Sequence, residues 1–348
     1  MRIGFFVNSM KEEAPRYATT QIAYEAFKRG HEVWYIDVEG FSYQPNDEIH
    51  VHAVGPSGKS FKSFNEFLAS AKDKKAKRAQ LDVAEFDVVM LRNDPAADAT
   101  ERPWASTVGI VFGQEVARRG VLVLNDPVGL SGAMNKLYFQ RFPEEVRPKT
   151  LISKDSKEIK AFVDEQKSKV VIKPLQGSGG QSVFLIRKDE GANVNQMIEA
   201  VSRDGYVIAQ EYIPAAANGD TRFFIMNGEP LAVKGKFAAI QRIGGEGDMR
   251  SNMHRGGKAE KAALTDDAFR IAELVRPMLV HDGMFLVGLD IVGKKLLEIN
   301  VFSPGGLYSC EKTQGVKFTP AILDAIERKL EYAARNPGVF KNVELATL

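Results

Sequence analysis

VVIKPLQGSGGQSVFLIR, residues 170–187, is the stretch that decides the fold. Three glycines, Gly177, Gly179 and Gly180, stand between two apolar runs, Val170–Lys173 and Ser182–Arg187, both read as strands. No Gly-Lys-Ser/Thr follows, so this is not a Walker loop. A strand rather than a helix follows the glycines, so it is not a dinucleotide fingerprint either. What remains is a strand, a glycine loop and a second strand. The backbone N–H groups of such a loop can close over a phosphate with no side chain in the way. Lys173 sits at the end of the first strand, placed for an α- or β-phosphate. Read alone, the stretch fits a plain glycine-rich hairpin with a surface lysine equally well.

Further along the chain, GLDIVGKKLLEIN (residues 288–300) reads as part of a hairpin of Leu286–Val292 and Lys295–Val301, interrupted by Asp290, Glu298 and Asn300. Glu298 and Asn300 are two apart and share a strand face. Asp290 joins that face if it lies opposite Glu298, which is most simply achieved by a three-residue loop, Gly293–Lys295. Two carboxylates opposed across a strand pair repel. A hard divalent cation with oxygen ligands removes that penalty, and Mg²⁺ shared with substrate phosphates fits. The alternative is that one acid faces solvent. Arg222, Arg242, Arg250 and Arg255, with Lys136 earlier, bracket or precede the glycine-rich loop Gly244–Gly257, the expected mobile lid. Arginine suits bidentate capture of carboxylate or phosphate. His254, between Met253 and Arg255, is expected to hydrogen-bond rather than to ligate metal.

The N-terminal half has a different pattern. Ile3–Val7, the helical spacing of Thr20–Lys28, and Glu32–Ile36 make a strand–helix–strand start, the mark of a parallel α/β unit. Asp87–Leu91 and Val121–Asn125 are further strands flanking a helical segment, Trp104–Arg118. KDKKAKR (72–78) is expected to be a solvated helix end. In the second half, Phe223–Met226 and Leu231–Lys236 flank Asn227-Gly228, a strong hairpin turn signal. Helices are expected at Ile159–Glu165, Val194–Ser202, Ala268–Leu279 and Ala321–Ala334, and a strand at Tyr206–Glu211. The fold class is therefore α/β followed by α+β. The boundaries fall at 1–126 for the first unit, 127–212 for the unit with the glycine loop, and 213–348 for the unit with the metal hairpin.

Composition excludes several function classes. Lys plus Arg (47) nearly balances Asp plus Glu (45), so no global basic field invites nucleic acid. Apolar residues at 44% with charged residues at 26% fit a soluble globular chain, with no run long enough to cross a membrane. One cysteine, Cys310, excludes a disulfide framework and suits the cytosol. It is expected to be incidental rather than nucleophilic.

The order Lys136, Lys173-Pro174 with its glycine loop, Gln210-Glu211-Tyr212, then Asp290 and Glu298-x-Asn300 resembles the ATP-grasp ligases over residues 1 to 335. Leu91-Arg92-Asn93-Asp94-Pro95 with Asp98, Asn125-Asp126-Pro127 and Asn135-Lys136-Leu137 are most similar to bacterial glutathione synthetases. RSNMHRGG (250–257) and SPGGLYSCEKTQG (303–315) look more like the ribosomal-protein glutamate ligases of the same superfamily. The resemblance implies ATP with Mg²⁺, Mn²⁺ being the other candidate ion. It implies Lys136, Lys173 and Gly177, Ser178, Gly179 and Gly180 at the phosphates. Glu211, Tyr212 and Ile213 would border the adenine, and Asp290, Glu298 and Asn300 would ligate the metal. Arg222, Arg242 and Arg250 would contact the acyl substrate and the transferring phosphate. Asn252, Ser303, Pro304, Gly305 and Gly306 would bind substrate. The implied reaction joins γ-glutamylcysteine to glycine through an acyl phosphate in a cytoplasmic homo-oligomer, a tetramer or dimer. A glutamate or other amino-acid ligase acting on a protein or small-molecule carboxylate is the alternative.

Overall fold

A computed structural model describes residues 1–99, 101–166, 169–176, 182–187, 192–203, 205–244 and 258–348. The first sheet holds β1 (Arg2–Val7), β2 (Glu32–Tyr43), β3 (Ile49–Gly55), β4 (Lys77–Asp82), β5 (Val88–Leu91) and β6 (Leu122–Leu124) in the order β4-β3-β2-β1-β5-β6. β1 pairs parallel with β2 and β5, and β5 parallel with β6; β3 and β4 add on antiparallel. β1 is apolar without alternation because both of its faces are covered. Ile3, Phe5 and Val7 enter one core cluster and Phe6 another. Helices α1 (Ala18–Lys28), α2 (Phe64–Lys72), α3 (Pro95–Asp98), α4 (Val108–Arg118) and α5 (Pro127–Gly132) complete this unit. α4 starts later than its apolar spacing predicts, because Pro103 opens a short 3₁₀ turn over Pro103–Thr107 first. The basic run is split: Lys72 ends α2, and Lys77 and Arg78 begin β4, which the sequence reading did not anticipate.

The second sheet holds β7 (Thr150–Ser153), β8 (Val170–Pro174), β9 (Phe184–Ile186) and β10 (Val207–Glu211), antiparallel in the order β7-β10-β8-β9. One face is covered by α6 (Ser156–Glu165) and α7 (Ala192–Ser202), through Ile159, Val163, Ile198 and Val201 against Ile172, Ile186 and Ala209. The other face carries Lys173, Ile208 and Gln210. β8 and β9 flank the glycine loop as expected, and Gly177–Gly180 lie outside the described residues.

The third sheet is antiparallel and holds β11 (Asp220–Met226), β12 (Glu229–Pro230), β15 (Ala239–Ile243), β16 (Lys258–Lys261), β17 (Leu286–Val292) and β18 (Lys295–Asn300), with β13 (Ala232–Val233) and β14 (Lys236–Phe237) as a separate small hairpin. Asn227 and Gly228, both at positive φ, make the expected tight turn. The expected strand Leu231–Lys236 is broken. A second turn at Lys234 (φ 52°) and Gly235 (φ 72°) folds it back on itself. One face of the sheet packs Phe223, Ile225, Val287 and Leu289 against α8 (Asp266–His281). The chain ends in α9 (Leu307–Gln314), α10 (Thr319–Arg335) and α11 (Asn342–Thr347). Among the described residues no helix is long and apolar enough to cross a membrane. Parallel α/β followed by antiparallel α+β is the architecture the sequence predicts. Asn125 docks the first unit on the third sheet: its amide donates to the Leu286 carbonyl (3.2 Å) and accepts from the Leu286 N–H (2.9 Å).

Candidate active site

A cleft runs between the open face of the second sheet and β18 of the third. Its walls include Lys136, Lys173 and Gln210 on one side, and Leu297, Glu298, Asn300, Phe302 and Ser303 on the other. Strand alternation selects these residues. In β10, Val207 and Ala209 turn into the core under α6 and α7, so Ile208 and Gln210 face the cleft. Gln210 accepts from Lys173 Nζ (3.1 Å), its neighbour one strand over. Glu211 has the opposite orientation: its carboxylate accepts from the Lys149 N–H (3.3 Å). Tyr212 lies over Lys169 (5.7 Å to the ring centre), and Ile213 precedes the 3₁₀ turn Pro214–Asn218. Of the expected adenine border, none of the three lines the cleft wall. Gln210 does, and period-two alternation was the signal for it.

Lys136 begins a short 3₁₀ turn capped by Asn135, and its N–H donates to the Leu175 carbonyl (3.2 Å), which ties it to the end of β8. Burial lowers its pKa, opposed by Glu298. Burial also pulls Lys173 down to about 8, with Glu298 opposing and Lys136 adding to the fall. Two lysines facing one glutamate in a cleft leave a local excess of positive charge suited to a polyanion.

On the third sheet Arg222, Asp290 and Glu298 form one row across β11, β17 and β18. The expected pairing of Asp290 with Glu298 is present, but the expected three-residue loop is not. Val292 pairs with Lys295 around a two-residue turn, and Leu297 is the extra residue of a β-bulge that moves Glu298 opposite Asp290. Asp290 is 3% exposed. Arg222 holds it through two donors, Nε and Nη2, the latter at 2.9 Å, and Arg242 Nη2 reaches it at 2.7 Å. Burial pushes the Asp290 carboxyl up, and these two guanidiniums overcome it and hold it below the usual range. Arg242 also grips Asp220 bidentately (2.6 and 2.7 Å). Asp220 is a member of this cluster that sequence reading missed. Its place two residues before Arg222, on the same strand face, was the available signal.

Asn300 donates its amide N–H to Asp290 Oδ2 (3.2 Å), which leaves its carbonyl oxygen as an acceptor on the cleft side, beside Glu298. These donors are all oxygens, as a hard divalent cation requires, and so the residues present fit one. Arg222 Nη1 donates to the Gly305 carbonyl (2.9 Å), which anchors the Ser303–Gly306 loop to the row, and Gly306 (φ 105°) opens α9. Pro304 Cβ lies against Gly288. Cys310 is buried, and burial pushes its thiol up to about 12, far from a thiolate at neutral pH. Arg250, Asn252, His254 and Arg255 lie outside the described residues.

Two family models span most of the chain: the N-terminal domain of prokaryotic glutathione synthetase over residues 1–131, and its ATP-grasp domain over residues 135–315. The second includes both segments that resemble the glutamate ligases. Glutathione synthetase of Vibrio parahaemolyticus is 31% identical over 309 residues, covering 88% of this chain and 91% of the relative. That of Escherichia coli K12 is 32% identical, with the same coverage. Among solved structures, the D-cycloserine synthetase DcsG superposes with a TM-score of 0.63 at 14% identity, over 93% of this chain and 99% of that one. D-alanine–D-alanine ligase of Bacillus anthracis superposes with a TM-score of 0.57 at 14% identity, over 97% of this chain and all of the other. At such identities the superpositions speak for the fold alone. Sequence and fold together make the chain a member of the prokaryotic glutathione synthetase family, ATP-dependent ligases built on an ATP-grasp domain.

Proposed function

We propose that the protein joins γ-glutamylcysteine to glycine at the expense of ATP. The observation that carries this reading is the convergence of Lys136, Lys173, Gln210, Glu298, Asn300 and Ser303 on one cleft. A donor carboxylate oxygen bonds to the γ-phosphorus of ATP as the bond to the ADP oxygen breaks, giving an acyl phosphate. The amine of glycine then bonds to the acyl carbon, the C–O bond to phosphate breaks, and the amine gives up its proton. The protein contributes position and charge rather than a covalent intermediate.

In this reading Lys136 and Lys173 hold the nucleotide phosphates, and the phosphate charge restores the protonated form that burial disfavours. Asp290, Glu298 and Asn300 hold a divalent cation. That ion, when bound, neutralises phosphate oxygens. Arg222 and Arg242, fixed by Asp290 and Asp220, present rigid positive charge to the transferring group. The Ser303–Gly306 loop offers backbone N–H groups to the acceptor carboxylate. Arg250, Asn252 and the Gly177–Gly180 loop keep the substrate and phosphate roles that the resemblance implies. The three-unit division at 126 and 212 belongs to this reading, with the nucleotide between the second and third units.

The test is phosphate release by the purified protein with Mg-ATP, γ-glutamylcysteine and glycine, each omitted in turn, with the product identified by mass. Glutathione formed only when all three are present is the expected result. Nucleotide binding without turnover on these substrates would move the acceptor or donor elsewhere.

A further inference from the structure

The free edge of the first sheet carries a cluster of side chains that the ligase reading leaves unused. β4 is the outermost strand there and pairs on one side only, with β3. In that antiparallel ladder His50 stands directly opposite Asp82, so both side chains leave the same face of the sheet. Glu48 precedes His50 by two residues and turns the same way, its Oε2 lying 2.9 Å from His50 Nε2. One donor atom each from Glu48, His50 and Asp82 lies within 4.8 Å of the other two. Among the described residues this is the one group of three histidine, cysteine or carboxylate side chains drawn so close together.

Both acids are held in place and keep lone pairs for a ligand. Asp82 Oδ1 accepts from the Ala84 N–H (2.9 Å) and caps the 3₁₀ turn Val83–Glu85, which leaves Oδ2 for another partner. Hydrogen bonds from Asn46 and His50 hold the Glu48 carboxyl below its usual range, so it is ionised at neutral pH. Glu85 also feels His50 but is engaged by Arg2, which takes it out of the group. Two carboxylates that meet at one imidazole repel each other unless a cation lies between them. The imidazole decides which cation. Mg²⁺ and Ca²⁺ take oxygen ligands, whereas one nitrogen with two carboxylate oxygens is the donor set of a divalent transition metal. Zn²⁺ accepts such ligands at about 2.0–2.2 Å and completes its tetrahedron with water. Glu48 is exposed and His50 and Asp82 are half-buried, so the fourth position faces solvent.

We propose that Glu48, His50 and Asp82 form a Zn²⁺ site that pins β4 to the first sheet. None of the three lines the cleft, so the site is separate from the cation proposed there and independent of the ligase reading. The ion replaces the Glu48–His50 hydrogen bond with two coordinate bonds and takes Asp82 as its third ligand. The edge strand is where such a cross-link has an effect. β4 opens with Lys77 and Arg78, both exposed, and its outer backbone groups have no strand partner among the described residues. A bond from Asp82 through the ion to His50 fastens its other end, where the strand gives way to the 3₁₀ turn.

The test is calorimetric titration of Zn²⁺ into the whole chain, stripped of metal with a chelator and then held in millimolar Mg²⁺ to occupy all-oxygen sites. One ion bound with a micromolar Kd is the expected result. His50→Ala and Asp82→Asn should each weaken binding by at least about tenfold, since removing a ligand costs no less than removing a group that orients one. Asparagine still caps the 3₁₀ turn, so Asp82→Asn removes the charge without unfolding the segment, and thermal unfolding of the ion-free variant checks this. His52→Ala removes another exposed histidine of β3, two residues along and outside the trio, and should leave binding unchanged. Hydrogen exchange gives a second readout. Zn²⁺ should slow the amides of residues 77–82 in the unaltered protein and leave them unchanged in His50→Ala. Binding only at millimolar Zn²⁺ marks an adventitious ion and overturns the proposal. So does binding that survives both His50→Ala and Asp82→Asn, or exchange in β4 that does not respond to the bound ion.

Discussion

Asp290 stands opposite Glu298 although only Gly293 and Lys294 separate their strands, because Leu297 bulges out of the ladder. The two carboxylates have different surroundings. Asp290 is buried under two guanidiniums, while Glu298 is exposed in the cleft facing two lysines. Their substitutions are therefore expected to separate. Glu298→Gln should lower kcat on the order of a hundredfold or more while leaving stability within about 0.5 kcal/mol. Asp290→Asn should lose activity as well and also cost about 3–5 kcal/mol, since it leaves the buried Arg222 without its counter-charge. Activity assays paired with denaturant unfolding check both. Full turnover in Glu298→Gln would remove that residue from the metal set.

Gly288 is a second expected point of failure, although it carries no chemistry. A Cβ there would stand 2.8 Å from Arg222 Cδ and 3.0 Å from Pro304 Cβ. Arg222 crosses over Gly288 to reach both Asp290 and Gly305, so the displaced atom belongs to a side chain fixed at both ends. Gly288→Ala should cost about 1–3 kcal/mol in stability from overpacking. It should also reduce kcat more than it raises KM for ATP, because Lys136 and Lys173, the lysines proposed to hold the nucleotide, lie on the other wall. A KM effect alone would place Arg222 away from the transferring group.

The fold class, the Asp290–Glu298 pairing and the meeting of Lys136, Lys173, Glu298 and Asn300 in one cleft were legible because they rest on local signals: apolar runs, the Asn227-Gly228 turn, and acids interrupting an apolar hairpin. The signals that failed were those set by tertiary context. Nothing in KLLEIN announces that Leu297 will bulge, since either register places an apolar residue on the core side. Lys234-Gly235 broke an expected strand because a lysine at positive φ is not a turn residue by type. Gln210 and Asp220 were readable in principle, since strand alternation puts the first on the cleft face and the second beside Arg222.

Cys310 should be dispensable. The thiol is buried in the cluster that includes Leu307, Phe318 and Ile322, and its raised pKa keeps it protonated. Cys310→Ala should retain most activity and lose about 1 kcal/mol or less of stability, the amount expected for trimming one small buried atom. A thiol reagent applied to the native protein should leave turnover intact until the protein unfolds. Rapid inactivation matched by first-order modification of Cys310 would contradict this.

Lys173 gives the protein a defined pH response. Its ammonium loses its proton at about 8 in the ligand-free fold, against 10.5 in an unperturbed chain. Between those values the unfolded chain binds more protons than the fold, so this residue makes stability rise with pH across that window. Below about 8 the penalty for burying the charge is fully present. Nucleotide binding acts in the opposite sense, because phosphate favours the charged form and raises the pKa again. Mg-ATP should therefore bind with little proton uptake near pH 7 and with uptake approaching one proton near pH 9. The affinity should fall by up to about tenfold per pH unit above 8. Calorimetry in buffers of differing ionisation enthalpy reads the uptake directly. Lys173→Arg, whose guanidinium stays protonated throughout, should lose this residue's share of the uptake and flatten the profile. An unchanged uptake in that variant would assign the proton to Lys136, whose pKa burial also lowers.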